Sequence, residues 1–381
     1  MSKGGKYLAE KTPKAKKGKN KVLLGILIAI LVIILAAVGF FVWYCNYMLG
    51  LITRPSDVVK NPSTEATVSQ VDSTAEMPEI PTVEESTSPE DTWPVIVPDK
   101  NITNIILVGQ AGREGEESLI ADTMILCSIN RETKTLTMTS IMRDLRLVWP
   151  EYVDVNGKKH TGNNRVNMAY NMGYRWAGNN SKGGMDMMKN IIEYNFGVPV
   201  DYAVEVSFDM VMDLVDMLGG VTVEITQEEY DYLDKNYQWL EEGGVKVGTA
   251  TIDGYHALCY ARMRKVGNGD FERTERQRKM ITSIIDSLRD KNILEIHSLF
   301  VKILPYIVTD MTNKQITDLA WEMIPMLKNL NIQSQRIPFD GTYNSQQFEI
   351  NGQIDYQLVC NTKTNGEMLR KSIGMEEAST N

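Results

Sequence analysis

The stretch Val22–Tyr44 runs for 23 residues without a charged side chain. At about 1.5 Å per helical residue it reaches roughly 35 Å, enough to cross a hydrocarbon core of about 30 Å. It closes on Phe40, Phe41, Trp43 and Tyr44, aromatic side chains suited to a membrane–water boundary. Residues 1–21 ahead of it hold eight lysines and one acid, Glu10. A positive flank of this kind stays cytoplasmic. A cleaved signal peptide is the rival reading, but its apolar region would be about 7–15 residues long and followed by a small-residue cleavage site. This run is longer, and no good site follows it. The expectation is a retained signal anchor at 22–44. The protein is then single-pass and type II in the cell membrane, with everything beyond Tyr44 on the extracellular face.

Charge divides the rest of the chain from its first segment. Beyond residue 21 there are 32 basic and 48 acidic side chains. So acidic a bulk argues against nucleic acid as a partner, because phosphate contacts need a basic face. Residues 45–100 are rich in Ser, Thr, Glu and Pro and lack apolar periodicity, which reads as an extended, acidic, disordered stalk. The four cysteines, Cys45, Cys127, Cys259 and Cys360, form no CxxC pair and suit neither a disulfide scaffold nor a zinc ribbon. No HExxH, GxSxG, P-loop or GxGxxG is present.

A folded domain is expected over 101–340. Asn104–Val108, Thr123–Asn130, Thr135–Ile141, Val200–Val206, Val221–Ile225 and Ile332–Ile337 read as strands. Gly184–Phe196, a stretch capped by Ser207, another capped by Asp253, Phe271–Arg289 and Thr312–Leu330 read as helices. The alternation predicts an α/β class with a mixed central sheet flanked by helices. Residues 341–381 are polar and weakly patterned and read as a loose C-terminal extension. Met185, Met187, Met188, Met210, Met212 and Met217 suit either plain core or the lining of a lipid slot.

Clustered arginine inside an acidic domain is the chemical signal. Arg143 and Arg146 follow a strand, Arg262 and Arg264 follow a helix, and Arg273, Arg276 and Gln277 lie along the long helix. An extended backbone would point Arg262 and Arg264 the same way. Grouped guanidinium groups suit bidentate capture of phosphate or carboxylate. On the long helix, Glu272/Arg276 and Glu275/Lys279 are favourable i,i+4 pairs, so Arg276, Arg278 and Lys279 are expected on a solvated surface. Cys127 and Cys259 are expected to pack as small hydrophobes, and His160 and His256 to be incidental.

Seven stretches in order bring a resemblance into view. They are 104–109 (NIILVG), 121–126 (ADTMIL), 140–144 (SIMRD), 165–170 (RVNMAY), 214–221 (LVDMLGGV), 253–265 (DGYHALCYARMRK) and 270–277 (DFERTERQ). Together they resemble the LytR-CpsA-Psr family of Gram-positive cell-envelope proteins over about residues 104–284. The resemblance implies a phosphotransferase with a divalent metal, Mg²⁺ or Mn²⁺. It would move a glycan phosphate from a polyprenyl-pyrophosphate carrier to peptidoglycan. On these matches Asp122, Arg143, Arg262 and Arg264 are the implied catalytic residues. Arg113, Arg143, Arg165, Arg262, Arg264, Arg273 and Gln277 are the implied pyrophosphate contacts, Asp122 is the implied metal ligand, and Asp144 follows Arg143 in position to orient it.

Two positions depart from that pattern. The family's first strand is followed by Gly-x-Asp, whereas here Ala111 stands where the acid belongs. Its Arg-Ser-Asp is replaced by Ile120-Ala121-Asp122. A hard cation losing one of two carboxylates is bound more weakly. Two functions therefore stay open: a cell-envelope glycopolymer phosphotransferase, and a catalytically degenerate module that binds polyprenyl-pyrophosphate glycans and regulates or scaffolds wall assembly.

Overall fold

A computed structural model describes residues 44, 47–52, 54–55, 99–110, 120–237, 246–350 and 352–375. The basic tail, all of the predicted span except Tyr44, most of the predicted stalk, Ala111 and Arg113 lie outside these. Among the described residues no helix is long and apolar enough to cross a membrane.

The chain lays down β1 (Ile102–Gln110), β2 (Ala121–Asn130), β3 (Thr135–Ile141), β4 (Arg146–Val153) and β5 (Lys159–Arg165). Then come α1 (Ala169–Trp176), α2 (Ser181–Phe196), β6 (Tyr202–Val206), α3 (Phe208–Leu218), β7 (Val221–Ile225), α4 (Gln227–Tyr237) and β8 (Gly248–Ile252). Next are α5 (Gly254–Arg262), α6 (Asp270–Arg289), α7 (Ile293–Ile303), β9 (Val308–Thr309) and α8 (Asn313–Met326). The chain closes with β10 (Asn331–Ile337), β11 (Tyr343–Ile350), β12 (Gln353–Cys360) and α9 (Thr362–Ile373). Six strands form one mixed sheet in the order β10-β3-β2-β1-β6-β9. Its inner pairs β1/β2 and β2/β3 are antiparallel, while β1/β6 and β10/β3 are parallel.

Both faces of this sheet are covered, which is why its strands read as near-continuous apolar runs. Ile106, Val108, Met124 and Leu126 face one core with Met185, Met187, Met188, Ile191 and Phe196 of α2. Ile105, Ile125, Cys127 and Met138 face the other, closed by half-buried Ile281, Ile285, Leu319 and Met323 of α6 and α8. A third core sits between the β7–β8 ribbon, α3, α5 and α6. Burial alone pushes the Cys127 thiol up to about 12, in keeping with its packing role.

Local chemistry sets the helix ends. The side chains of Ser207 and Asp253 accept from the backbone N–H groups of Met210 and His256, the N-caps read from sequence. Gly197 closes α2 at φ 62°, a left-handed position where glycine carries no Cβ penalty.

Helices α1 and α2 touch through glycine. A Cβ built on Gly183 collides with the Gly173 carbonyl and the Ala177 Cβ. Gly183→Ala gains about 1 kcal/mol of helix propensity but forces two backbones apart. Overpacking of this kind costs about 1–3 kcal/mol, and urea unfolding is expected to show a net loss of stability. An unchanged midpoint would mean the helices part freely.

The chain after Phe339 corrects the sequence reading. It is not loose: β11 and β12 pair along their length, and α9 sends Leu369 and Ile373 into the first core. The strands alternate polar residues over a half-exposed ribbon, and α9 contributes few apolar positions, so no strong periodicity announced either.

Candidate functional site

The predicted arginines converge where the sheet ends. A register shift at Gly109/Gln110 pairs Gln110 with Ala121, placing Asp122 at the start of β2 beside the loop that follows β3. Arg143 stands in that loop, with Met142 N–H bonded to the Ile337 carbonyl at 2.9 Å and Leu145 N–H to Met142 at 3.0 Å. The first turn of α6 supplies Asp270 and Arg273. Arg264 comes from the loop after α5.

Asp122 is the hub. Its Oδ1 accepts from Arg143 Nη1 at 3.2 Å and its Oδ2 from Arg264 Nη2 at 2.6 Å. Its backbone carbonyl accepts from Arg273 Nη2 at 3.1 Å. Arg143 Nε lies 3.5 Å from Asp144 Oδ2 and also meets Asp270. Burial opposes the charge on Arg143, but Asp270, Asp144 and Asp122 together outweigh it and hold its pKa above the usual value. Arg165, at the end of β5, meets Asp144 Oδ1 at 3.2 Å and pairs with Asp355 of β12.

Arg273 differs from its neighbours. It is only 2% exposed, and its Nε and Nη1 find no hydrogen-bond partner among the described residues. Burial, with Arg264 and Arg143 close by, pulls its pKa down to about 10 against the opposing pull of Asp270. Gln277, one helical turn on, is buried with an unpartnered Oε1. The two unpaired Arg273 donors cost about 1–3 kcal/mol each while unmet and favour an incoming anion, whereas the Gln277 oxygen is an acceptor and suits a hydroxyl.

Not every expected residue joins. Arg262 is the last residue of α5 rather than part of an extended run, and its guanidinium lies 5.0 Å from the Phe208 ring centre. It does not share Asp122 with Arg264. Arg276 and Arg278 are not on a solvated surface; both are buried. Arg276 Nε donates to Glu229 Oε1 at 2.6 Å, and its other nitrogens hold the Met263 and Val266 carbonyls at 3.1 and 3.4 Å. That grip fixes the loop presenting Arg264. Arg278 donates to Ser140 and Ser334 on β3 and β10. The i,i+4 spacing concealed Arg276: its pair with Glu272 does form, at 3.2 Å, alongside the buried contacts. Lys279 pairs with Glu275 at 2.7 Å in the open. His160 stacks on Trp176 at 4.2 Å with Nε2 2.9 Å from Asp154, and His256 Nδ1 sits 2.7 Å from Asp253. Asp270, Asp355 and Glu229 went unmarked as site partners. Asp270 opens the 270–277 stretch but was given no role, and Asp355 lies in a stretch without periodicity.

The implied divalent cation is a poor fit to these donors. Both oxygens of Asp122 are taken by guanidinium groups, and Asp144, Asp270 and Asp355 are each paired with arginine. Among the described residues no three acidic, histidine or cysteine side chains gather as a metal site, and position 111 is alanine. Hard cations require several free oxygens.

The profile of the LytR_cpsA_psr family matches residues 63–365. Over 184 residues the chain is 35% identical to the polyisoprenyl-teichoic acid–peptidoglycan teichoic acid transferase TagU of Bacillus licheniformis, covering 48% of this chain and 51% of that protein. The chain spans about half the length of the curated relatives it matches. Among solved structures, protein gbs0355 of Streptococcus agalactiae superposes with a TM-score of 0.56 at 22% identity, covering 74% of this chain and 91% of that one. The crystal structure of Bacillus subtilis TagT superposes at 0.51 with 23% identity, covering 75% and 96%. At these identities the two structures speak for the fold.

Proposed function

Because this chain belongs to the LytR-CpsA-Psr family, we propose that its arginine cluster holds the pyrophosphate of a polyprenyl-linked glycan and transfers the glycan phosphate to peptidoglycan. The observation that carries the reading is Arg273, a buried guanidinium with two unpartnered nitrogens beside Arg143 and Arg264. Phosphoryl transfer needs positioning and charge neutralisation more than covalent help from the protein. A hydroxyl of the acceptor attacks the glycan-bearing phosphorus, and the bond to the bridging oxygen breaks. Polyprenyl phosphate then leaves with the electron pair. Arg143, Arg264 and Arg273 oppose the charge gathering on the leaving phosphate, and Gln277 extends the row along α6. Asp122, at the centre of the arginines, can take the hydroxyl proton once Arg143 or Arg264 turns from it to the incoming phosphate. Arg165 flanks this centre through Asp144. No step is assigned to a metal.

The carrier lipid has somewhere to go. Met210, Val211, Met212, Leu214 and Met217 of α3 are half-buried, and neighbouring α7 buries only Leu299 while leaving Ile293 and Leu294 exposed. These loosely covered apolar helices suit a polyprenyl chain. The methionines of α2 do not take part, since they are fully buried core. A single helix at 22–44 would hold the domain at the extracellular face, within reach of that lipid.

One observation favours binding without turnover: Asp122 is clamped on both oxygens and its family partner acid is Ala111. The decisive experiment supplies the full chain with a labelled polyprenyl-pyrophosphoryl glycan and peptidoglycan, with EDTA or with Mg²⁺, and follows release of polyprenyl monophosphate. Release that EDTA does not abolish is the expected result. Ala111→Asp combined with Ile120→Arg is expected to raise turnover at least about tenfold with Mg²⁺ alone, by completing a two-carboxylate site. Retention of intact lipid by both proteins would leave binding as the function.

A further inference from the structure

The C-terminal ribbon is fastened to the arginine cluster. Leu358 N–H donates to the Asp144 carbonyl at 2.9 Å, next to Arg143. Arg146 donates to Gln357 at 2.9 Å and lies 4.1 Å from the Phe348 ring centre. Tyr343, the first residue of β11, stacks at 5.6 Å on Phe271. Phe271 directly follows Asp270 of the cluster.

Beside Tyr343 the ribbon and the start of α9 border an open, shallow cleft of about 560 Å³. That volume lies within the range of about 300–1,000 Å³ typical of small-ligand sites. Its polar lining is Thr342, Tyr343, Asn344, Gln346, Asn361 and Thr364. Each offers neutral hydroxyl or amide groups, and among the described lining residues none is charged. Asn344, Gln346, Asn361 and Thr364 are exposed, and the Asn344 and Gln346 amides are hydrogen-bonded side by side at 3.2 Å. An uncharged lining offers no counter-ion to a phosphate. Amides and hydroxyls share the lining with Val359 and Cys360, and amides left facing a lipid tail would lose their water without replacement. Closely spaced neutral donors and acceptors beside an aromatic ring match a polyhydroxylated, uncharged ring.

We infer that this cleft is a subsite for uncharged sugar, placed so that a glycan bound there runs toward the arginine cluster. The inference deepens the phosphotransferase reading and rests on it for which sugar is bound. Both partners of that reaction carry sugar: the donor glycan on its lipid, and the acceptor strand.

The test uses the full chain in detergent and the pair Asn344→Ala with Gln346→Ala. Both side chains are exposed on the ribbon, so the melting temperature should not move. Three probes are titrated: a peptidoglycan-type amino-sugar tetrasaccharide, a polyprenyl-pyrophosphoryl disaccharide, and sugar-free polyprenyl pyrophosphate. The expected result is at least tenfold weaker binding of sugar with the sugar-free lipid unchanged. Loss for the tetrasaccharide assigns the cleft to the acceptor. Loss confined to the lipid-linked disaccharide assigns it to the donor. Arg264→Ala is expected to do the reverse, weakening both lipids and sparing the tetrasaccharide. Should the paired variant bind both sugars as the unaltered chain does, or the unaltered chain bind neither, the subsite is wrong. Failure of the sugar-free lipid alone to bind would instead sink the pyrophosphate reading and leave the tetrasaccharide result to decide the cleft.

Discussion

Arg264→Ala is expected to cut release of polyprenyl phosphate by about 10²–10³-fold, the usual cost of losing one aimed donor from a charge-stabilising site. Stability should hardly change. The Arg264 side chain is 41% exposed, and open ion pairs contribute only about 0–1 kcal/mol. Asp122 keeps Arg143 at 3.2 Å, so no carboxylate is orphaned. Activity and folding thus separate cleanly at this residue, which is rarely true in a buried cluster. A steady-state assay beside a urea melt makes the comparison. Turnover within threefold of the unaltered chain would remove Arg264 from the reacting centre.

Arg276→Ala should do the opposite, striking stability first. Its side chain is 3% exposed and its partner Glu229 is 10% exposed. Removing one member of a buried pair strands the other charge, at a cost of about 3–5 kcal/mol. The Met263 and Val266 carbonyls lose their donors as well, loosening the loop that aims Arg264. Arg276→Met with Glu229→Leu separates these effects. Replacing both charges with apolar groups is often close to neutral in stability, yet the loop carbonyls remain unheld. The double variant is expected to regain most of the melting temperature while its turnover stays low. Full recovery of both would show that Arg276 serves the fold and has no part in positioning Arg264.

The two variants also show what was legible in the chain. Strand and helix positions followed from period and caps because β1, β2, β3 and α6 carry strong patterns with clear stops. Asp122, Arg143, Arg264 and Arg273, named from the resemblance, lie together in the structure. Arg276 was misjudged because a surface i,i+4 pair and a buried anchor can share one spacing; only the position of α4, which brings Glu229, tells them apart. The hairpin β4–β5 and the ribbon β11–β12 were missed because Lys159–Arg165 and Tyr343–Ile350 are mostly polar. Strand β5 is held by pairing with β4, which sends Leu147 and Trp149 into the first core, and β11 is held by pairing with β12. Arg262 was expected to share a side with Arg264, but α5 continues to residue 262 and turns the first arginine away.

The last helix carries a consequence for how this protein is made. Leu369 and Ile373 complete the core that α2 lines, and Arg370 donates to the Phe196 carbonyl at 2.9 Å. β10 also has to return to β3 across nearly two hundred residues. Ribosomes extend a chain at roughly 5–20 residues per second, so the α2 face waits many seconds for its cover. During that interval Ile191, Ile192 and Phe196 lack their final partners, and the outer edge of β3 is open to any other strand. A nascent chain of this design therefore calls for a holding chaperone until α9 emerges, and loss of the last turn of α9, with Ile373, should leave it a client rather than a product.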